Sequence, residues 1–594
     1  MDKNQATGLI LLFGILFAYF TFFAPKPEQL PAAKKEAAKL AADTVKKASQ
    51  EEIAYSGLRQ AGLADSSIVI DTIPLILENE DIRVSISPLG GQVREVQLKK
   101  YKTWEGKPLI LLSGKRSSQH FFVNASGKRL DLSILPFSGK VQKTGDSSVL
   151  ELKSKLAGMT GLSQRFVLPA KGFELRQAVN AGIAGINPKA EMVFVQDAAQ
   201  LEKDILQNRT TTNINYFEKE EGFSGLSETS LGEEKAEVSK PLAWFSFKQK
   251  FFNWGVIADG QFDGLSAIQK TNEADSHSVK RMETRLAITL GNGSASFRHY
   301  FGPNKFTILK KVAEDYDRNV YLGWPGINLV NRFITINVFS WLEGAISSYG
   351  IIIVILVLLI KTLLFPLSYK SYISMAKMKV LKPELDEIKE RTGDDMQKAQ
   401  AEQMKLYQQV GINPLSGCIP LLLQMPVLLA MFNFFPNAIE LRQQSFWWAP
   451  DLSSYDSIAT LPFSLPGYGD HVSLFTILMT ASTLVLTWYN NQTSTVAGPM
   501  QSMSYIMPVV FMFILNSLPA GLSFYYLVSN VVSIVQQQAI KRFVDDGQLR
   551  KKLEENKVKN AGKKKTGFAA RLEDAMRQAQ EVQKEKDKNK KGKS

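Results

Sequence analysis

From Ser347 to Ile540 the chain carries five long, mainly apolar runs: Ser347 to Leu367, Leu415 to Pro436, Val472 to Tyr489, Gln501 to Leu518 and Ala520 to Ile540. A helix of about 20 such residues spans the ~30 Å hydrocarbon layer of a bilayer and pairs its own backbone groups, as lipid demands. The runs therefore predict an all-α core of five crossing helices over 346–541. A sixth run, Thr7 to Phe23, is shorter. It reads as an uncleaved anchor over 1–24, because Tyr19, Phe20, Phe22 and Phe23 lead to Pro25 without a small-x-small cleavage site. The mean hydropathy of -0.09 conceals all of this, since Gln50 to Asp317 is polar and globular.

Basic residues in short loops set the orientation. The Tyr369 to Asn413 connection holds Lys370, Lys377, Lys379, Lys382, Lys389, Arg391, Lys398 and Lys405, whereas Asn437 to His471 holds only Arg442. After Ile540 there are eighteen Lys and Arg against nine acids, so +9 of the formal +14 sits beyond that residue, nearly all of it in the tail, 542–594. The basic pieces are expected in the cytoplasm. Six crossings then leave both termini inside and the long Ala24 to Gly326 region outside. A basic tail suits nucleic acid, anionic lipid or ribosomal RNA, or is simply a solvated disordered end. The single cysteine, Cys418, excludes a disulfide within the chain, so the exported part must rely on a packed core.

That exported part begins with an Ala, Lys and Glu-rich linker over 25–67 containing Pro25, Pro27 and Pro31. From 68 to 320 the pattern changes to short alternating segments broken by turn residues, such as Ile82 to Ile86 before Pro88-Leu89-Gly90-Gly91. Similar segments are Gln164 to Leu168, Glu191 to Val195 and Met282 to Leu290, and together they predict an all-β sandwich. His120, His277 and His299 have no metal-ligand spacing. A sugar-binding or enzymatic role for this domain competes with a purely structural one. Over 326–345, Asn328, Asn331, Arg332 and Thr335 recur at helical spacing against Leu329, Val330, Phe333, Ile334 and Ile336. This predicts an amphipathic helix, lying in the outer headgroup plane or packed on the exported domain.

Polarity inside the spanning segments carries the functional information. Lys361 lies about two turns from the cytoplasmic end of its run. A charge near a helix centre costs ~2.5–3.5 kcal/mol on insertion scales, so it must snorkel or face a hydrated cavity. Thr476, Thr480, Thr483, Thr487 and Asn490 form a stripe on the Val472 to Tyr489 run, and Ser523, Tyr526, Asn530, Ser533 and Gln537 form one on the last. Hydroxyls and amides at such spacing either glue helices together or line a polar path. With the charge they predict a wet, positively charged groove, open to the cytoplasm and closed outside, in which an acidic or polar flank is solvated. No nucleophile, carboxylate pair or metal cluster accompanies it, so the expectation is binding without covalent chemistry and without a cofactor or metal. Between the first two core runs, Met378, Leu381, Leu385 and Ile388 form one stripe. Met396, Ala399, Leu406, Tyr407 and Val410 form another, with Met404 nearby. They predict a cytoplasmic helical hairpin over 369–412 whose methionines serve as an adaptable contact for apolar clients or as ordinary packing.

Asn413-Pro414-Leu415-Ser416-Gly417-Cys418-Ile419-Pro420-Leu421-Leu422-Leu423-Gln424-Met425-Pro426 forms an ordered set with several other segments. These are Phe365-Pro366-Leu367, Ser374 to Met378, Glu440-Leu441-Arg442, Pro499-Met500-Gln501, Gly521-Leu522 and Tyr525 to Asn530. As an ordered set they resemble the YidC family of bacterial membrane protein insertases, of the YidC/Oxa/Alb superfamily. The resemblance covers most of Phe339 to Phe543, and the exported region matches it mainly in position and size. It implies a five-helix insertase core with an extra anchor, a periplasmic β-sandwich and a cytoplasmic hairpin needed for activity, all in the cell inner membrane. Implied partners are nascent membrane proteins, the Sec translocon, the ribosome, the signal recognition particle receptor and membrane lipid, with no DNA. The family's groove arginine falls on Lys361, which keeps the charge but lacks the planar fork. Its client-contacting tyrosine falls on Tyr526. A small-solute or ion transporter is the competing reading, but it predicts inverted repeats or broken helix pairs, and the halves show no repeat. An intramembrane enzyme and a passive scaffold compete less well, the former for want of a catalytic dyad.

Overall fold

The computed structural model describes residues 73–560 apart from 157–158, 276, 394–395, 413–418, 466–467 and 494–498. The expected anchor and linker, the tail beyond 560 and Asn413 to Cys418 lie outside the described residues. The chain divides into two compact units: Met1–Ala24, Gly323–Pro436 and Gln444–Ser594 make one, Pro25–Leu322 and Asn437–Gln443 the other.

The second unit is built from antiparallel sheets of nine, six and four strands. Strict alternation produces them. Along Glu174–Gly182, Leu175, Gln177, Val179 and Ala181 turn inward while Arg176, Ala178 and Asn180 face out, as a half-buried strand requires. Phe245, Phe247, Trp254, Phe297 and Phe301 fill the space between layers, and Phe194 meets Trp254 edge-on with ring centroids 5.6 Å apart. Ile82–Ile86 forms the strand its sequence predicts, and the other alternating segments extend into Gly161–Pro169, Ile186–Ala199 and Ser278–Thr289.

Seven residues from far along the chain complete this unit. Ile439 joins its core, and Arg442 is buried with its Nε donating to Glu202 Oε1 at 2.7 Å. Its Nη2 donates to the Lys102 carbonyl at 2.6 Å, and the guanidinium stands 5.0 Å from the centre of the Phe252 ring. Such a charge is tolerable in a core only with partners of this quality.

The first unit is helical. Its entry is α1 (Ile327–Val330), a π-helical turn (Asn331–Thr335) and α2 (Ile336–Glu343). The expected helix is present, but its apolar residues lie on both sides: Leu329, Phe333, Ile334 and Trp341 are exposed, while Ile327, Ile336, Phe339 and Leu342 are buried together with Asn331 and Thr335. Asn331 Nδ2 donates to the Ala430 carbonyl at 2.8 Å.

Helix α3 (Tyr349–Leu363) ends earlier than the apolar run, and α4 (Phe365–Val380) follows at a 62° bend. Pro366 stands in the first turn of α4, where its missing N–H costs nothing, but it cannot continue the preceding ladder. No single described helix is both long and apolar enough to cross a membrane; the two arms of this bent pair reach that length and composition only together. The remaining helices are α5 (Lys382–Thr392), α6 (Met396–Val410), α7 (Ile419–Asn437), α8 (Leu474–Thr493), α9 (Pro499–Leu515), α10 (Ala520–Phe543) and α11 (Asp546–Asn560).

The region expected as a two-helix hairpin is thus three helices, broken at Leu381 before Pro383. Met378 belongs to α4, Leu385 to α5, Met404 and Tyr407 to α6, and Met396 opens α6. Met378, Leu381, Leu385 and Tyr407 are packed in a buried cluster with Leu553 of α11; Met404 is half-buried. Of the two readings of this stripe, adaptable contact or ordinary packing, these residues pack as the core of the helical module. The tail closes it, because α11 also places Leu549 against Tyr372, Ala376 and Ile540. Asn556 Nδ2 donates to the Val410 carbonyl at 3.4 Å.

Candidate functional site

Helices α3, α8 and α10 bring the predicted polar stripes together. Thr476 Oγ1 and Ser523 Oγ lie 3.1 Å apart, and Asn530 Nδ2 donates to Thr483 Oγ1 at 2.8 Å and to Ser482 Oγ at 3.0 Å. Lys361 is buried in α3 and donates to Ser533 Oγ at 2.8 Å and to Gln424 Oε1 of α7 at 3.4 Å. Its ammonium has no carboxylate partner among the described residues, so neutral dipoles alone offset its desolvation. The Tyr526 hydroxyl donates to the Leu428 carbonyl at 3.3 Å.

Several of these hydroxyls also bond one turn back within their own helices: Thr480 Oγ1 to the Thr476 carbonyl at 2.8 Å, Thr483 Oγ1 to Met479 at 2.8 Å and Ser533 Oγ to Ser529 at 2.9 Å. This keeps a polar group satisfied when no other partner reaches it. Helix gluing and a polar path therefore coexist in one seam.

Exposure grades along the seam. Thr476, Thr480 and Ser523 are buried, whereas Thr483, Thr487, Tyr526, Asn530 and Ser533 are half-buried. One end is sealed and the other reachable. Outside the seam the bundle shows apolar side chains, including Leu358, Leu363, Phe432, Val485, Phe511, Ile514, Val531 and Val535. So broad an apolar surface suits lipid as solvent.

Sequence patterning missed Gln424, Ser482 and Gln536, whose Nε2 donates to the Lys361 carbonyl at 3.4 Å. Gln424 stands outside both stripes, and only its place in the Asn413 to Pro426 motif marked it. In the β unit, His120 Nδ1 lies 3.0 Å from Asp131 Oδ2 and 2.9 Å from Ser133 Oγ. The adjoining cavity, lined by Gln119, Gln164 and Gln177, measures about 30 Å³. It has room on the scale of a single water, not a sugar. No cluster of three potential metal ligands occurs among the described residues.

An apolar-coated helical bundle with an internal polar seam around a buried ammonium, in one chain with a β-sandwich, is the build of an integral membrane protein with a separate sheet domain. Two family models match it: the 60Kd inner membrane protein over residues 341–547 and the YidC periplasmic domain over 75–339. A relative from Cytophaga hutchinsonii called membrane protein insertase YidC is 45% identical, with 98% of each chain covered. One of the same name from Amoebophilus asiaticus is 43% identical over 97% of this chain and 98% of the relative. A solved YidC insertase structure with its first transmembrane domain resolved matches 85% of this chain and 98% of its own at 18% identity, with a TM-score of 0.32. This chain belongs to the YidC family of membrane protein insertases, inner-membrane proteins with a periplasmic domain.

Proposed function

We propose that the seam around Lys361 is where the insertase receives its clients, nascent membrane proteins, and that it works by solvation alone. The observation that carries this reading is a buried ammonium held by Ser533 and Gln424 with no carboxylate beside it among the described residues. An acidic or polar flank of a client supplies the missing counter-charge. Thr476, Thr480, Thr483, Thr487, Ser523, Tyr526, Asn530 and Ser533 supply hydrogen bonds while the client's apolar part slides along the lipid-facing side of the bundle. A charge in mid-bilayer costs ~2.5–3.5 kcal/mol, and even partial relief speeds entry about ten-fold. Because the side chains exchange hydrogen bonds and no bond is made or broken, the reading needs no enzyme chemistry, cofactor or metal.

In this reading the reachable end of the seam, α4 to α6 and α11 face the cytoplasm with both termini, and 437–472 lies on the periplasmic side. The helical module of Met378, Leu385, Met396, Met404 and Tyr407, with its basic surroundings, then meets the ribosome and the signal recognition particle receptor. The apolar flank meets lipid and the Sec translocon. Photo-crosslinkers at Lys361 and Tyr526, tested against a stalled nascent membrane protein, are expected to capture the chain, while one at exposed Val558 of α11 does not. Capture nowhere along the seam, with insertion intact, would remove the groove from the mechanism.

A further inference from the structure

The sealed end of the seam is held by a network that neither the sequence patterns nor the proposed client path uses. Asp456 is 1% exposed. Its Oδ1 accepts from Ser473 Oγ at 2.5 Å, and its Oδ2 accepts from Trp448 Nε1 at 2.8 Å and from the Phe475 backbone N–H at 3.0 Å. Ser473 Oγ in turn accepts from the Thr476 N–H at 3.1 Å and lies 2.9 Å from Thr476 Oγ1, the atom that meets Ser523. A carboxylate at the first turn of α8 is favoured by the free N–H groups there.

The same segment ties down two more helices. The Ala520 and Gly521 N–H groups that open α10 donate to the carbonyls of Ser454 and Leu452 at 2.8 and 2.9 Å. After the last turn of α9, Asn516 accepts from the Ser473 N–H at 3.0 Å, and its Nδ2 donates to the carbonyls of Tyr468 and His471. His471 Nε2 donates back to the Asn516 carbonyl at 3.0 Å. Over this polar knot lies an aromatic cover. Trp448 and Phe475 stand 4.4 Å apart, Phe446 and Phe524 4.9 Å, and Phe475 and Phe524 5.3 Å. Phe446 rests on α3 at Gly350, where an added Cβ would fall 2.1 Å from its ring.

We propose that the segments 444–465 and 468–473 form the seal at the closed end of the groove, and that Asp456 is the positioning residue that holds it by joining the ends of α8, α9 and α10 around the Thr476 and Ser523 contact. Removing the Asp456 carboxylate leaves the donors of Ser473, Trp448 and the Phe475 backbone without this acceptor at once. This inference rests on the groove reading for its meaning, but its test does not.

The test uses the full chain in sealed vesicles, with Cys418→Ser to remove the native thiol and Ser523→Cys as reporter. A membrane-impermeant thiol reagent is applied from the side of the β unit. With Asp456 intact the reporter is expected to stay unlabelled; D456A is expected to raise its labelling rate about ten-fold or more. Thr487→Cys labelled from the opposite side should be unchanged, which shows that the bundle has kept its fold. If D456A does not accumulate, W448F, which removes one donor to Asp456, is read instead and should give a smaller rise in the same direction. Labelling of Ser523→Cys that stays at the background level in every variant that accumulates overturns the seal. Nascent-chain crosslinking at Lys361 and Tyr526 is scored separately, so a failed groove with a working seal, or the reverse, is told apart.

Discussion

Lys361 and His299 are both buried groups able to carry positive charge, and their neighbours dispose of it in opposite ways. Lys361 sits among acceptors, Ser533 and Gln424. His299 is fully buried, takes a hydrogen bond from Trp254 Nε1 on Nδ1 at 3.3 Å and gives one from Nε2 to Gln177 Oε1 at 2.8 Å. An indole N–H only donates, so the imidazole is neutral with its proton on Nε2. Burial pushes its pKa down from 6.5 to about 3. The unfolded chain then binds a proton that the folded one refuses. The stabilisation is complete above pH 6.5 and is lost as pH falls from 6.5 toward 3, by about 1.4 kcal/mol per pH unit. Urea unfolding of the full protein in detergent, followed by Trp fluorescence, should show this slope; H299Q, which can keep both hydrogen bonds, should flatten it by one proton. For Lys361, K361R is expected to retain insertion and K361A to slow it about ten-fold, read as the rate at which a small membrane protein becomes protease-protected. Equal rates for K361A and the parent would mean that the charge is idle.

Elements in this chain are often finished by residues far away in sequence. The β unit is completed by 437–443, and breaking one side of its buried ion pair strands the other. R442A is expected to destabilise that unit by about 3–5 kcal/mol, measured by hydrogen exchange along Phe252–Phe262. R442K should recover only part, because an ammonium cannot serve Glu202 and the Lys102 carbonyl with the same fork. At the other end of the chain, α11 covers the apolar side of α4 to α6. L553A should cost about 2–4 kcal/mol in that module and expose the α5 to α6 connection to limited proteolysis before the bundle is cut. These elements also mark where sequence patterning fell short. A heptad-like stripe names the residues that will be buried, and Met378, Leu381, Leu385 and Tyr407 are buried. It does not say by what, and the covering Leu553 comes from a tail whose charge pointed to solvent, lipid or nucleic acid and not to packing.

Across the whole molecule, the distribution of apolar surface separates a water-packed β unit from a helical unit coated for lipid. Exposed Phe333 and Trp341, in the segment that opens the helical unit, continue that coat. Nitroxide labels at Phe333 and Trp341 are expected to report immersion at the headgroup and acyl boundary. Labels fully accessible to aqueous relaxants would take this helix off the membrane surface. Much of this was written in the chain: alternation of period two specified the sandwich, apolar runs specified the bundle, and Lys361 with two hydroxyl stripes specified the seam, since periodicity and the cost of buried charge are local properties. Closure was decided by the tertiary structure alone. Asp456, Ser473, His471 and Asn516 are unremarkable polar residues in a connecting segment and at a helix end. Their role arises only when three helix termini, separated by loops, present unsatisfied N–H and C=O groups to one small volume, a condition that no run of neighbouring residues can encode.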